Sequence, residues 1–262
     1  MNPTQTNWLN LFGQYPQTGT TWHALTTSYS LGLSPTRSYQ FKRKFSTNPD
    51  QTTVYHTNTY YSNGQPEEQS WQLDQQENSR SDGVFHPAAE RMRAISFGND
   101  TSIWVAKQFD PSNGSFGLEA FFQEGENRLS IIPAYQGRNL ARFVMIKENT
   151  VEFPEGVNDE KITDFALSGS LTRTTITPDL QSSTQELANQ NIDLSSFAEG
   201  NETYFLPENI YLNLPGIIAR DQKFAIAIGK QTTLDRYKQI IVKYDATGKL
   251  LELVSEVYNL AT

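Results

Sequence analysis

Residues 116–148 read FGLEAFFQEGENRLSIIPAYQGRNLARFVMIKE. Three apolar runs, FGLEAFF, RLSIIPAY and LARFVMIKE, are separated by the polar turn QEGEN and by Gln136-Gly137. Neither break has room for a crossover helix, so the runs are predicted to be consecutive antiparallel strands. The same pattern extends upstream through TWHALTTSYS, RSYQFKRKF, TVYHTNTYY, EQSWQLD, MRAISF and TSIWVAKQF. Turn dipeptides stand between them at Asn63-Gly64, Asp82-Gly83 and Asn113-Gly114,. With a side-chain period of two, Tyr39, Phe41, Arg43 and Phe45 share one face of their strand, as do Trp71 and Leu73 of theirs,. A βαβ plan is excluded and an antiparallel meander indicated. So long a meander exposes two adhesive edges unless it closes, and closure into an up-and-down barrel is the natural solution.

The segment also has an echo. Residues 224–257, FAIAIGKQTTLDRYKQIIVKYDATGKLLELVSEV, repeat its order of strand, polar turn, Arg, paired Ile, Tyr, Gly turn and apolar strand closing near Glu. The matched residues are Arg128 and Arg236, Ile131-Ile132 and Ile240-Ile241, Tyr135 and Tyr244, Glu148 and Glu256. Residues 83–97 and 203–215 match more loosely. The expectation is therefore an all-β protein of two barrels arising from an internal duplication. An N-terminal barrel with a short helix occupies 1–150 and a smaller C-terminal barrel 151–262, meeting at the polar stretch NTVEFPEGVNDEK. Few residues remain for the second barrel, so it should have shorter loops or be incomplete. Gly169, in LSGSLT, marks its expected kink by the rule that strand-interior Gly signals a bulge or bend,.

Composition narrows the function classes. The chain of 262 residues has no Cys, which excludes disulfides, zinc-thiolate sites and a thiol nucleophile, and fits a cytoplasmic setting,. A formal charge of -8 disfavours a nucleic-acid partner,. No apolar run is long enough to span a membrane, and no leader pattern is present. The aromatic share, 12%, is high and supplies large apolar area to a sheet interior,. The start, MNPTQTNWLNLFG, has Trp8, Leu11 and Phe12 at helical spacing and stops at Gly13. It reads equally as a lid over a barrel mouth and as an N-terminal tail packing on the core.

Chemistry-bearing residues are sparse. His23, His56 and His86 lie far apart in sequence with no metal-ligand spacing, so no metal and no cofactor are expected,. There is no nucleophile elbow, phosphate loop or dinucleotide fingerprint. His86, beside Pro87 and near Arg91 and Arg93, is the one position where a base or a carboxylate grip could form,. Arg91 and Arg93 share a face, and if inward need a counter-charge such as Glu119 or an anionic ligand,. Trp22, Trp71 and Trp104, with Tyr39, Phe41 and Tyr60, would line an aromatic-walled interior in the first barrel,. The second half has no Trp and reads as filled.

Taken together, WLNLFGQYPQTGTTWHALTTSYSLGLSPTRSYQFKRKF, SDGVFHPAAERMRAISF with Trp104 after it, LEAFFQEGENRLSIIPAY, YFLPENIYLNLP and VKYDATGKL resemble a cyanobacterial lipocalin-like family of unknown function, DUF3598. The resemblance implies calycin-type barrels and no particular activity. Its positions correspond to Trp22, His86, Arg93, Trp104, Glu119, Arg128 and Tyr135. The lipocalin Gly-x-Trp is one residue longer here, Gly19 to Trp22, and the Arg that packs over such a Trp falls to Arg128 or Arg142. The leading expectation is a binding protein for an apolar or amphipathic small molecule (a pigment, tetrapyrrole or lipid derivative). It would be held by Trp22, Tyr39, Phe41, Tyr60, Trp71, Arg93 and Trp104. An enzyme of the same fold, an oxylipin cyclase or chromophore lyase using His86 or Arg93, is the alternative. The third reading is a filled double barrel that binds another protein.

Overall fold

The structure is a computed structural model that describes residues 2–62, 65–162, 166–194 and 200–260, so the turn expected at Asn63-Gly64 lies outside the described residues. Helix α1 (Pro3–Phe12) comes first. It is followed by β1 (Thr20–Tyr29), β2 (Pro35–Thr47), β3 (Thr53–Ser62) and β4 (Gln65–Asp74). A single turn of helix, α2 (Gln75–Asn78), leads to β5 (Ser79–Arg80), β6 (Gly83–His86), β7 (Ala89–Ser96) and β8 (Thr101–Ala106). Then come β9 (Ser115–Gly117), β10 (Glu119–Glu124), β11 (Asn127–Gln136) and β12 (Asn139–Asn149). The rest of the chain forms β13 (Ala166–Ile176), β14 (Ser182–Asp193), β15 (Glu202–Leu206) and β16 (Ile210–Leu214). It ends with β17 (Phe224–Thr233), β18 (Arg236–Tyr244) and β19 (Leu250–Leu260). The chain divides into two compact units. One comprises residues 1–106, 117–134 and 141–156; the other comprises 107–116, 135–140 and 157–262.

In the first unit the sheet runs β4-β3-β2-β1-β12-β11-β10-β8-β7-β6-β5, with β9 beside β11. The first and last long strands meet in its middle, His23 opposite Asn149 through Tyr29 opposite Phe143. The sheet then curls so far that its two ends face each other. His56 on β3 hydrogen-bonds His86 on β6, although seven strands lie between them along the ladder. The result is a near-closed antiparallel barrel of calycin type. Helix α1 forms because Asn2 caps it by accepting from the Gln5 N–H at 2.8 Å, with Pro3 pre-set at its first position,. It ends at Gly13. Trp8 and Phe12 pack on Val54, Leu73, Val84 and Ala94. The Asn7 amide donates to Ala94 O at 3.1 Å and accepts from Ser96 N at 2.9 Å, fastening the helix to β7.

The second unit corrects the expectation of two closed barrels. Its sheet runs β14-β13-β19-β18-β17-β16-β15 and stays open, β14 and β15 being edges that do not pair with one another. The physical reason is a shortage of strands. The order matches β2-β1-β12-β11-β10-β8-β7 of the first sheet, first strand against last, but nothing corresponds to β3 and β4 at one edge or β5 and β6 at the other. Those are the strands that bring the first sheet's ends together. The apolar face is filled instead by Leu171, Tyr211, Tyr237, Ile241, Val254 and Tyr258, with Ile162 and Leu194 covering it.

Strand β13 bends at a bulge between Gly169 and Leu171. A Cβ on Gly169 would stand 2.0 Å from the Asn259 carbonyl oxygen of β19, so only glycine lets the two backbones approach,. Gly169→Ala is accordingly expected to lower stability by about 1–3 kcal/mol in urea unfolding. Gly156→Ala, with no atom within 4 Å of the added methyl, is expected to be near neutral. Equal behaviour of the two variants would remove the close-approach explanation.

Candidate functional site

The inner face of the first barrel follows from the period-two alternation of its strands. Trp22 on β1 stands opposite Arg43 on β2, and Arg43 stands opposite Asn58 on β3. His56, two residues before Asn58, stands opposite Trp71 on β4. On the far wall Glu119 of β10 stands opposite Trp104 of β8. All of these but Trp22, with Arg128, Phe45, His86, Leu11 and Phe12, line a cavity of about 250 Å³. Its wall is aromatic on one side and charged on the other.

The charged side is a buried quartet. Arg128 Nε donates to Glu148 Oε2 at 2.6 Å, and its Nη1 reaches the Tyr15 hydroxyl at 3.3 Å. Its guanidinium lies 4.3 Å from the centre of the Trp22 ring,. Of the two candidates for the Arg over that Trp, the structure selects Arg128. Arg43 adds longer contacts, 3.7 Å to Glu148 Oε1 and 3.9 Å to Glu119 Oε1, and Glu119 also accepts from the Ser130 hydroxyl at 2.8 Å. Burial opposes ionisation of Glu148, but Arg128 and then Arg43 outweigh it and hold the carboxyl below its usual range,. For Glu119 burial prevails over Arg43 and Ser130, and the pKa is pushed up.

The aromatic side carries a polar thread. The Ala88 N–H donates to His86 Nδ1 at 3.1 Å. Neutral His86 must then hold its proton on Nε2, which lies 3.0 Å from His56 Nδ1,. His56 in turn holds its proton on Nε2 and donates to Asn58 Oδ1 at 2.9 Å, while Asn58 Nδ2 donates to the Tyr60 hydroxyl at 3.1 Å. Every bond points the same way, and a second proton on either imidazole would set two donors against each other. Phe45 stacks on His56 at 4.4 Å, and Trp71 and Trp104 meet the His86 ring edge-on. Burial first, then Arg43, lowers the His56 pKa to about 2 and that of His86 to about 4.

The residues singled out from sequence divide between cavity and elsewhere. Trp71, Trp104 and His86 line the cavity. Trp22 is buried behind Arg128. Phe41 and Tyr60 stack at 5.4 Å in a neighbouring apolar cluster with Ala24 and Ile146. Tyr39 is exposed. Arg93 faces away from the cavity: its Nε donates to Asp82 at 2.8 Å and its guanidinium lies over Phe85. Glu119 does meet an arginine, but it is Arg43 rather than Arg91 or Arg93. Arg43, His56, Asn58 and Glu148 complete the wall or its support without having been singled out as a group. The alternation of His56, Asn58 and Tyr60 along one face of TVYHTNTYY was the available signal: three polar groups on an inward face imply a partnered interior,. No helix is long and apolar enough to cross a membrane among the described residues, and no group of three or more potential metal ligands is found there.

The histidine thread predicts a pH effect of definite sign. Unfolded imidazoles take up protons below about 6.5, whereas the folded ones resist until about 4 or lower,. The stabilisation is therefore present above pH 6.5 and is progressively lost as pH falls from there to about 4 for His86 and lower for His56. Urea unfolding of the wild type should weaken over that window, and His56→Gln should flatten the slope. An unchanged slope in the variant would show that His56 titrates freely when folded.

The family description Domain of unknown function (DUF3598), N-terminal, matches residues 4–153. No curated protein matches the chain. A solved structure of a protein with unknown function from the DUF3598 family of Nostoc punctiforme PCC 73102 is similar over 97% of this chain and 99% of that chain, with 14% identity and a TM-score of 0.75. The tesB protein of Mycobacterium avium subs paratuberculosis is 9% identical, covering 64% of this chain and 96% of that chain at a TM-score of 0.15. Kievitone hydratase from Nectria haematococca is 9% identical, covering 93% and 90% at 0.18. Scores of that size do not support a common fold. The match over residues 4–153 takes in more than half of the chain, and the chain belongs to the DUF3598 family.

Proposed function

We propose that the first barrel is a binding compartment for a small amphipathic molecule. The observation that carries this reading is the cavity itself: about 250 Å³, with Trp71, Trp104 and Phe45 on one side and Arg43, Arg128 and Glu119 on the other. A space with apolar walls and a few convergent polar groups is the usual form of a ligand site. A short lipid derivative or a two-ring aromatic would fit within a space of this size. The similar strand order of the two sheets supports descent from one repeated unit.

Use of His86 as a catalytic base would favour the enzyme alternative, but the hydrogen-bond thread leaves it no vacant lone pair. Its Nδ1 accepts from Ala88 and its Nε2 donates to His56. Binding without turnover is the reading that agrees with this.

Trp71 and Trp104 line the cavity and can report on its contents. Titration with 1-naphthol is expected to change tryptophan emission saturably. Ala89→Phe, which adds a ring to the lining, should weaken that response at least ten-fold, about 1.4 kcal/mol,. A linear, non-saturating response in the wild type would count against a compartment.

A further inference from the structure

Arg43 differs from Arg128 in making no short bond at all. Arg128 donates to Glu148 at 2.6 Å and to Tyr15 at 3.3 Å and lies over the Trp22 face, with only its Nη2 buried and unpartnered. Arg43, with a side chain only 12% exposed, has its Nη1 and Nη2 at 3.7 and 3.9 Å from carboxylate oxygens, both beyond hydrogen-bond reach,. Its Nε is buried without a hydrogen-bond partner. Its guanidinium is held 5.3 Å from the Phe41 ring centre, so it sits in a fixed place with its donor fork unspent,. Buried donors left in that condition are costly, and a guanidinium is the group whose donors best match two coplanar oxygens.

The neighbours supply charge but no hydrogen bond. Glu148 gives its short bond to Arg128 through Oε2 and leaves Oε1 unbonded 3.7 Å from Arg43, and Glu119 accepts from Ser130 while burial disfavours its charged form. The histidine thread is neutral and internally paired. The cavity thus has one under-used cation at its charged end and an aromatic wall opposite. A phosphate would bring a second negative charge close to Glu119 and Glu148, whereas a carboxylate brings one.

We propose that the cavity takes an amphipathic molecule bearing a single carboxylate, and that Arg43 receives that head group while the apolar tail lies along Trp71 and Trp104. This rests on the small-molecule reading above and adds the head-group chemistry to it. Arg43 acts as a binding residue; the neighbouring Arg128 keeps the floor in place by holding Glu148.

Octanoate and octan-1-ol share a tail and differ at the head, so the pair separates the two claims. Followed by tryptophan emission and calorimetry, octanoate is expected to bind roughly ten- to a hundred-fold more tightly than octan-1-ol. Arg43→Gln should bring the two within about two-fold of each other, mainly by weakening the acid. Saturable binding of both at equal strength, or a preference for the alcohol, overturns the role of Arg43 and leaves the compartment standing. So does an acid preference that survives in a folded Arg43→Gln protein. No saturable binding of either compound overturns the compartment as well. Should the variant fail to fold, the wild-type comparison decides the matter.

Discussion

The ion pair between Arg128 and Glu148 is the constraint around which the first barrel is built. Both side chains are buried, and their charges can exist there only together,. Loss of one partner would strand the other, at a cost of about 3–5 kcal/mol in comparable buried pairs. The pair also ties three central strands, because Trp22 of β1 lies under the guanidinium that β11 supplies to the carboxylate of β12. These charges demand polar neighbours, and Tyr15, Arg43, Ser130 and Glu119 gather round them. That polar centre forms the charged end of the hollow, where Arg43, Arg128 and Glu119 line it.

The second sheet shows the same device without the hollow. Glu256 is buried on its last strand, receiving Arg173 Nε at 2.7 Å and Gln239 Nε2 at 2.6 Å, with the Tyr258 hydroxyl at 3.2 Å. Its sequence partner Glu148 is held by an arginine from β11, whereas the arginine on Glu256 comes from β13, the first strand of its sheet. Arg236, which aligns with Arg128, does not reach the carboxylate. Large phenols, Tyr211, Tyr237 and Tyr258, occupy the remaining apolar face. The outcome is a filled, open sheet.

Much of the strand plan was legible from alternation and turns, because those patterns depend only on neighbours in the chain. The faces of β2 and β4, the helix ending at Gly13 and the bend near Gly169 follow from local rules. Closure was not legible. It depends on whether enough strands exist to bring two ends together, and the repeat between 116–148 and 224–257 covers only the shared middle of each sheet. The candidate site was legible in its aromatic part, Trp71 and Trp104 with His86. It was obscure where it depended on residues distant in sequence. His56 looked isolated because its partner lies thirty residues away. Arg43 fell on the aromatic face of its strand, but its ion partners Glu119 and Glu148 lie far along the chain. Arg93 drew notice for its proximity to His86, but in an extended strand its neighbours Met92 and Ala94 take the inward positions.

The meeting of His56 with His86 has a mechanical meaning. Along most of the barrel's circumference, adjacent strands are joined by backbone ladders that no side chain controls. Between the two ends the join is made by side chains: His56 of β3 and Trp71 of β4 meet His86 of β6, and Trp8 and Phe12 of α1 pack on residues from both ends. At that line the wall of the barrel is held by side-chain chemistry rather than by strand pairing.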